Sequence, residues 1–312
     1  MFSKLSSISP STKLIAIMGM TGTGKTTFIN KMTGGDLETS NSLNSCTKMI
    51  EAATVKMEDQ EICLIDSPGF DDTTLSDSDI LKEIAGYLQE LSEDSEKLTG
   101  LLYFYNISHV RLGGTASKNI RMFRALVGNK NMKNVVLVTT RWDLVQNERE
   151  DVVKARVAEL ESEDGFWGGM IRLGARHEML RDTEEDGKRI LHSLLGKRAV
   201  EVQLQSQLRQ GLRLIDTTAG RTLEEELSMM QAKYEKEIAE VREELAQAIR
   251  EKEDGGVIAE LRNAHDKAKE ELEKHREELL ALKEAEIQRL RAENEGLRSR
   301  GGGGGGGRCI IL

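Results

Sequence analysis

The sequence predicts an α/β domain, in which helices enclose a mostly parallel sheet, followed by a long helical tail. The first half of the chain alternates short apolar runs with amphipathic helical patterns, which is typical of a parallel sheet with crossover helices. A glycine-rich turn connects the first apolar run directly to a helical segment. From residue 222 onward the composition shifts to Glu, Lys, Arg, Ala and Leu, and the strand signals stop.

The predicted elements follow in chain order. Residues 14–18 form a buried strand, and a helix starts at Thr26. Residues 50–57 and 62–65 are predicted to form an antiparallel pair of strands. Further strands are predicted at residues 101–105, 135–139 and 171–174, and helices at residues 79–90, 117–126 and 186–195. The sheet domain is therefore expected to span residues 13–200, after an N-terminal extension at residues 1–12.

The turn after the first strand carries the most specific motif. Gly19-Met-Thr-Gly-Thr-Gly-Lys-Thr26 matches G-x-x-x-x-G-K-[ST] between a strand and a helix, the context that confirms it. Backbone N–H groups there can cradle phosphates, Lys25 can contact the β- and γ-phosphates, and the Thr26 hydroxyl can ligate Mg²⁺. The predicted nucleotide contacts are Gly19, Thr21, Gly22, Thr23, Gly24, Lys25, Thr26 and Thr27. These residues predict a P-loop NTPase fold.

A second motif, Ile62-Cys-Leu-Ile-Asp66-Ser-Pro-Gly69, follows the phosphate loop by about forty residues. The strand is expected to deliver Asp66 to the Mg²⁺ shell, and Gly69 to offer its backbone N–H to the γ-phosphate. A Ser/Thr/Asn-rich loop lies between the two motifs at residues 39–47. Thr47 is the best-placed residue to complete the metal shell. The predicted Mg²⁺ ligands are thus Thr26, Thr47 and Asp66.

Base selection is predicted at Thr139-Thr-Arg-Trp-Asp143. A carboxylate at Asp143 can accept both N1–H and the exocyclic amine of guanine, whereas adenine would leave it unpaired. Thr140 and Arg141 stand where the usual motif has Asn and Lys, so the residue that contacts the guanine oxygen stays open. Gly174 is expected to offer a further backbone N–H to the base. The predicted ligands are GTP or GDP with Mg²⁺.

Two motifs carry a family resemblance. Asp66-Ser-Pro-Gly-Phe-Asp71 and Thr139-Thr-Arg-Trp-Asp143 resemble those of the septin-related GTPases, which include AIG-type proteins, the Toc import GTPases and septins. The chain is more similar still to fungal G-domain-containing proteins of unassigned role, through residues 103–128 and the pair Phe166-Trp167. The resemblance covers residues 12–220. It implies a Mg²⁺-GTP site with slow intrinsic turnover, and often dimerisation across the nucleotide face.

Two residues bear on turnover. Phe70 follows Gly69, where small signalling GTPases have a glutamine that orients the attacking water. Because Phe cannot orient water, Thr47 or a group from a partner would have to compensate. Arg111 stands after the strand at residues 101–105, where some AIG- and Toc-type relatives place an arginine that reaches the partner's nucleotide. The other interpretation is a surface or loop-anchoring arginine. Lys25, Thr47 and Arg111 are the catalytic candidates.

The tail is predicted to be a coiled coil. After a helical linker at residues 201–221, apolar residues recur at three- and four-residue steps over residues 222–299, with a break at Gly255-Gly256. Polar side chains at His265, His275 and Asn294 on the seam would weaken pairing but could fix its register. A single solvated helix with i,i+4 charge pairs is the alternative.

The last residues, 300–312, combine a flexible glycine tether with a lipidation motif. Cys309-Ile-Ile-Leu312 is a C-a-a-X box whose final Leu indicates geranylgeranylation of Cys309. The nearby positive charge comes only from Arg298, Arg300 and Arg308. One prenyl chain with a weak basic flank predicts reversible attachment to the cytosolic face of a membrane.

Composition excludes several classes. The net charge of −9 leaves no basic stripe for nucleic acid. No apolar run is long enough to cross a bilayer, and residues 1–11 do not resemble a secretory signal. Cysteines and histidines are too scattered to predict disulfides or a zinc site. A reducing, cytoplasmic compartment is therefore expected.

Three functions are compatible with these motifs. The first is a slow GTPase that acts as a membrane-tethered switch or scaffold and self-associates through its G domain or its tail. The second is a structural protein that binds GTP with little or no turnover, as Phe70 and Thr140 favour. The third, an ATP-using P-loop protein, is disfavoured by Asp143 and by the family resemblance.

Overall fold

The structure is a computed structural model that describes residues 11–35, 50–71, 75–93, 97–109, 113–162, 166–181, 184–251 and 254–300. Side chains of the last helix are described up to Glu284. The chain divides into two compact units, Met1–Glu226 and Leu227–Leu312. The first unit is an α/β domain, and the second consists of helices.

A six-stranded sheet forms the centre of the first unit, in the order β2-β3-β1-β4-β5-β6. β2 runs antiparallel to β3, and the other neighbouring strands are parallel. The strands are β1 (Lys13–Gly19), β2 (Glu51–Met57), β3 (Gln60–Asp66), β4 (Gly100–Asn106), β5 (Val135–Thr140) and β6 (Arg176–Met179). The order reverses at β1, so the carboxyl ends of β1 and its neighbours β3 and β4 form the crevice in which such sheets bind ligands.

Helices cover both faces of this sheet. The helices of the first unit are α1 (Lys25–Thr33), α2 (Asp77–Glu93), α3 (Gly114–Val127), α4 (Glu150–Ser162), α5 (Gly168–Arg172), α6 (Glu184–Leu195) and α7 (Gln203–Arg209). α8 (Thr218–Glu251) begins in the first unit and continues into the second, and α9 (Gly255–Arg300) follows. The predicted fold class, a parallel-sheet P-loop domain followed by a long helical region, is confirmed.

The burial of the central strands explains why their sequences are continuous apolar runs. Every residue of β4 and β5 is buried, as expected for strands covered on both faces. On one face, the ring of Phe104 meets Phe28 of α1 edge-on at 5.3 Å between centroids. On the other face, Tyr103 packs against Phe123 of α3 at 4.8 Å. This packing fixes α1, and with it the loop that precedes α1, against the sheet.

Two boundaries differ from the sequence prediction. The strand expected at residues 171–174 is wrong, because this segment ends α5 and the sixth strand begins later, at Arg176. A short apolar run cannot distinguish a strand from a buried helical turn. The first unit also continues beyond residue 200, since α7 buries Leu204 and Leu208. The segment expected to be a linker at residues 201–221 is thus part of this unit.

The second unit is an antiparallel pair of helices within one chain. Arg276 Nη2 lies 2.8 Å from Glu235 Oε1 although 41 positions separate them. If α8 and α9 continued in one line, these residues would be about 60 Å apart, at 1.5 Å per residue. The ring of Tyr234 stacks on His275 at 5.6 Å, and the Gln231 amide donates to the His275 carbonyl at 3.1 Å. We call this unit the helical hairpin.

The apolar seam that the sequence indicated is buried between the two helices of the helical hairpin. With Tyr234 opposite His275, helix geometry places Leu227 level with Leu282, and both side chains are buried. The same register places Ala248 level with Leu261, and Ala248 is also buried. The tail is therefore helical as predicted, but its seam meets residues of its own chain.

α8 ends at Glu251 and α9 begins at Gly255, so the helices are interrupted directly before the predicted break at Gly255-Gly256, and both glycines belong to the first turn of α9. The side chain of Asp254 accepts a hydrogen bond from the Gly256 N–H at 2.7 Å, as an N-cap residue does. Glycine is costly in a helix interior but tolerated in a capped first turn. Among the helices in the described part of the chain, none is both long and apolar enough to cross a membrane.

Candidate functional site

The phosphate loop connects the end of β1 to the start of α1. Gly22 and Gly24 adopt positive φ angles of 75° and 90°, a left-handed conformation that suits glycine. Gly19 has φ 141°, and a Cβ there would lie 2.4 Å from the carbonyl oxygen of Phe104 in β4. The Thr23 hydroxyl closes the loop by donating to the Met20 carbonyl at 2.7 Å. The loop thus has the tight, backbone-lined form that the motif predicts.

Lys25 is held inside this loop. Its ammonium donates to the carbonyls of Gly19 at 2.9 Å and Met20 at 3.0 Å, and only 7% of the residue is exposed. Its neighbour Thr27 is exposed on the same turn of α1. A lysine that is buried at the mouth of a phosphate loop places a positive charge where phosphate oxygens bind.

Asp66 and Thr26 come together as predicted. The Thr26 hydroxyl donates to Asp66 Oδ2 at 2.6 Å across 40 positions of sequence. Asp66 is fully buried, and its Oδ1 has no hydrogen-bond partner among the described residues. Burial raises the pKa of this carboxyl, while the charge of Lys25 and the hydrogen bonds from Thr26 and Ser67 oppose the rise.

The residues present fit a bound Mg²⁺. A buried carboxylate oxygen without a partner is costly unless a cation or donor compensates it, and Asp66 Oδ1 is such an atom. A hydroxyl and a carboxylate are hard oxygen ligands of the kind Mg²⁺ prefers, with the remaining positions left to water and phosphate. Thr26 and Asp66 are therefore suited to hold the ion.

Gly69 lies against the phosphate loop. A Cβ at this position would come within 2.7 Å of the Gly19 carbonyl oxygen and 3.1 Å of the Thr21 nitrogen, so no other residue fits without a shift. The next residue, Phe70, is only 2% exposed and belongs to the core. Asp71 follows, and its carboxylate accepts a hydrogen bond from the Thr21 N–H at 2.8 Å. The sequence prediction for the location of Gly69 agrees with this geometry.

The base-selection segment follows β5. Thr140 is buried, and its hydroxyl lies 2.8 Å from the Thr23 carbonyl and 3.2 Å from the Tyr105 carbonyl, both acceptors. Arg141 adopts a left-handed conformation with φ 60°, which turns the chain so that Asp143 stands exposed at the site. An open cleft is lined by Thr140, Arg141 and Asp143 on one side, and by Thr23, Gly24 and Thr27 on the other.

Gly174 does not belong to this cleft, and its predicted role is wrong. A Cβ on Gly174 would lie 2.8 Å from the Lys133 side chain, just before β5 begins. That is the end of β5 opposite to Thr140, roughly 20 Å away at 3.3 Å per strand residue. The cleft is instead lined by Leu180, which follows β6. The error follows from the misplaced sixth strand.

Three predicted residues, Thr47, Arg111 and Cys309, lie outside the described residues. Their roles stay predictions. Sequence reasoning missed Asp71 and Leu180 as site residues. Asp71 could have been found from its position two residues after Gly69, because the chain there must stay close to the phosphate loop. Leu180 carried no signal of its own, since its place depends on where β6 ends.

The geometry defines a P-loop nucleotide-binding domain with a buried Mg²⁺ site and an adjoining base cleft. Comparison with known proteins identifies the class further. Residues 14–153 match the family model described as 50S ribosome-binding GTPase. Among curated proteins, none matches this sequence.

Solved structures share the fold at low sequence identity. A structure of the chloroplast translocon components atToc33 and psToc159, described as showing that dimerisation is important for GTPase activity, aligns with TM-score 0.51 at 15% identity, covering 64% of this chain and 90% of that one. Toc33 from Arabidopsis thaliana with GDP and Mg²⁺ aligns with TM-score 0.49 at 15% identity, covering 64% and 92%. Era from Aquifex aeolicus bound to GDP·AlF₄⁻ gives TM-score 0.40 at 16% identity, covering 59% and 57%.

The match over residues 14–153 and the fold together indicate a P-loop GTPase domain, and Lys25, Thr26 and Asp66 fit a guanine nucleotide with Mg²⁺. The narrower resemblance to septin-related and fungal proteins stays a prediction.

Proposed function

We propose that this protein is a slow, Mg²⁺-dependent GTPase that works as a membrane-tethered switch or scaffold and self-associates. The observation that carries the proposal of slow turnover is the position of Phe70. This residue follows Gly69, where a glutamine orients the attacking water in small GTPases, and only 2% of it is exposed. Its ring belongs to the core, so it cannot contribute to water placement.

The remaining groups suit nucleotide binding better than rapid chemistry. Lys25 can bind the β- and γ-phosphates, and Thr26 with Asp66 can hold the metal ion that neutralises phosphate charge. Such binding raises the rate of hydrolysis only if an added group also orients water and stabilises the transition state. We therefore assign the missing contribution to Thr47 of the same chain or to Arg111 of a second copy.

Guanine preference is assigned to Asp143. The exposed carboxylate lines the cleft, where it can accept two hydrogen bonds from the guanine edge. Thr140 differs from the usual asparagine in that its hydroxyl is directed to backbone carbonyls. The contacts to the guanine oxygen are then made by backbone N–H groups or by Arg141.

Attachment to the cytosolic face of a membrane is proposed from Cys309-Ile-Ile-Leu312 and the glycine tether before it. A single prenyl chain binds reversibly, so a second signal would be needed for stable attachment. Pairing of two chains would bring two prenyl groups to one membrane at high effective concentration. The helical hairpin already buries much of its seam within one chain, which favours the G domain as the pairing surface.

The second candidate is a GTP-binding structural protein with little or no turnover, and the burial of Phe70 favours it as well. The third is an ATP-using protein. Release of phosphate in multiple turnover, measured with GTP and with ATP on the full chain, separates the three. Slow release from GTP alone supports the proposal. No release from either nucleotide despite GTP binding favours the structural protein, and release from ATP at a similar rate overturns the guanine assignment.

The pairing step has its own measurement. The rate per molecule is measured over a hundredfold dilution series for the wild-type chain and for Arg111→Ala. We expect the rate to rise with concentration in the wild type and to stay low in the variant. A rate that is independent of concentration and unchanged by Arg111→Ala would refute the contribution of a second copy.

A further inference from the structure

Asp71 is a partly buried carboxylate at the nucleotide site that the proposed function does not use. Its Oδ1 accepts a hydrogen bond from the backbone N–H of Thr21, 50 positions earlier, at 2.8 Å. Thr21 belongs to the phosphate loop, whose N–H groups normally face phosphate oxygens. A carboxylate of the protein itself thus accepts a hydrogen bond from one of the N–H donors of an anion-binding loop.

The carboxylate lies on the side of the loop where Gly69 approaches. A Cβ placed on Gly69 would be 2.6 Å from Asp71 Oδ1, 2.7 Å from the Gly19 oxygen and 3.1 Å from the Thr21 nitrogen. Asp71, Gly69 and the loop therefore meet at one point. Phe70, between Gly69 and Asp71, is buried in the core and fixes this short segment in place.

Burial and two charged side chains act on the Asp71 carboxyl. Burial raises the pKa of its carboxyl, the hydrogen bonds from Thr21 and the charge of Lys25 oppose that rise, and the nearby Asp77 adds to it. Lys25 also opposes the raised pKa of Asp66. One ammonium group thus serves two carboxylates, in the place where it is expected to bind phosphate.

We propose that Asp71 is a specificity-determining residue that lowers the affinity of the site for GTP relative to GDP. The inference rests on the proposed guanine-nucleotide function. GTP differs from GDP by the γ-phosphate, which Gly69 N–H and Lys25 are expected to contact. That phosphate brings negative charge towards the Asp71 carboxylate, which like charges oppose, and it competes with this carboxylate for Lys25. GDP brings no such charge.

Asp71→Asn tests this inference directly. The asparagine keeps an oxygen that can accept from Thr21 N–H, but it removes the charge. The full chain is titrated with GDP and with a non-hydrolysable GTP analogue in the presence of Mg²⁺. We expect the ratio of the two dissociation constants, analogue over GDP, to fall at least about tenfold in the variant, or about 1.4 kcal/mol. Asp71→Glu, which keeps the charge, should retain most of the wild-type preference for GDP.

Asp77→Asn is the matched control. It removes a charge close to Asp71, but the Asp77 carboxylate is ion-paired with Lys118 of α3 and so is already compensated. In Asp77→Asn, the ratio of the dissociation constants for the GTP analogue and GDP should change by less than about twofold, or about 0.4 kcal/mol. Melting temperatures of all variants are measured, and Asp71→Ser replaces Asp71→Asn if the latter does not fold.

The outcomes separate the inference from the proposed function. If the wild-type chain binds neither nucleotide, the proposed function fails. If it binds both and the uncharged variant changes both affinities equally, the inference is overturned while the function stands. A ratio that rises in Asp71→Asn would also overturn the inference, because Asp71 would then assist binding of the γ-phosphate.

Discussion

The hydroxyl of Thr140 lies 2.8 Å from the backbone carbonyl of Thr23, so the end of β5 is joined to the phosphate loop across 117 positions of sequence. Both residues are buried. The bond connects the base-selection segment to the phosphate-binding segment, and it does so through a residue that departs from the usual asparagine.

Removing this bond should loosen the loop. In Thr140→Val, the carbonyl of Thr23 loses a buried donor, which costs about 1 kcal/mol of folding free energy and up to about 3 kcal/mol if the carbonyl stays unsatisfied. We expect a lower melting temperature and weaker binding of both GDP and GTP. Thr140→Ser keeps the hydroxyl and should behave nearly as wild type. Equal stability of the valine and serine variants would show that the bond contributes nothing.

Loss of the loop ammonium should weaken phosphate binding. Lys25→Ala is expected to reduce GTP affinity at least about tenfold, or about 1.4 kcal/mol, because the β- and γ-phosphates lose their cation. Competition against labelled GDP measures this loss, and the same assay compares GTP with ATP. Lys82→Ala, which removes an exposed lysine paired with Asp79, is the control. Displacement by ATP as readily as by GTP would remove the assignment of guanine preference to Asp143.

Two glycines give opposite predictions for the same substitution. Gly69→Ala puts a Cβ 2.6 Å from Asp71 Oδ1 and 2.7 Å from the Gly19 oxygen, so the loop or the segment after β3 must move. We expect lower stability and impaired nucleotide binding. Gly86→Ala, inside α2, meets no atom within 4 Å and should stabilise the helix by roughly 0.5–1 kcal/mol. Thermal melts with and without GDP distinguish the two variants.

The sequence predicted most of the sheet because its central strands are buried on both faces and its loop motif leaves few alternatives. Asp66, Gly69 and Asp143 lie where the motifs indicated, since each stands at the carboxyl end of a strand. The prediction for Gly174 was wrong for a different reason. The segment before Gly174 is apolar but helical, so the sixth strand was predicted too early and Gly174 was wrongly placed at its end. Contacts such as Thr140 to Thr23 depend on packing between distant segments, which local patterns do not encode.

The hairpin shows the same limit. Heptad spacing indicates an apolar seam, but it does not state whether the partner helix belongs to the same chain or to another one. The cap at Asp254 marks where α9 begins, directly before the predicted break, and the two glycines form the first turn of α9. Only contacts such as that of Tyr234 with His275 show that α9 folds back along α8 of the same chain.

A crosslink can verify the fold-back. Cysteines are introduced at Gln231 and His275, whose side chain and backbone are 3.1 Å apart, in a chain whose native cysteines are replaced by serine. Mild oxidation should give a disulfide within one chain, which migrates at monomer mass on a non-reducing gel. Cysteines at Glu235 and His265, both partly exposed but at different levels of the hairpin, form the control pair. Crosslinked dimers as the main product would contradict the intramolecular hairpin.

The lipid-anchor proposal predicts the behaviour of Cys309→Ser. Without the acceptor cysteine, the chain should move from the membrane pellet to the supernatant after fractionation, because the tail supplies little other membrane affinity. Cys46→Ser, which lies far from the C-a-a-X motif, should not change the distribution. Persistence of Cys309→Ser on membranes to the same extent as the wild type would refute prenylation as the means of attachment.

The antiparallel course of the hairpin has a mechanical consequence. Leu227 lies level with Leu282 at the open end of the hairpin, so a pulling force between these two residues acts on one layer of side chains at a time. Such peeling needs far less force than sliding two helices past each other, where all layers would resist together. Once opened, the segment from Leu227 to Leu282 could span about 80 Å, at 1.5 Å per residue. We therefore expect the hairpin to lengthen under load as an extensible spacer.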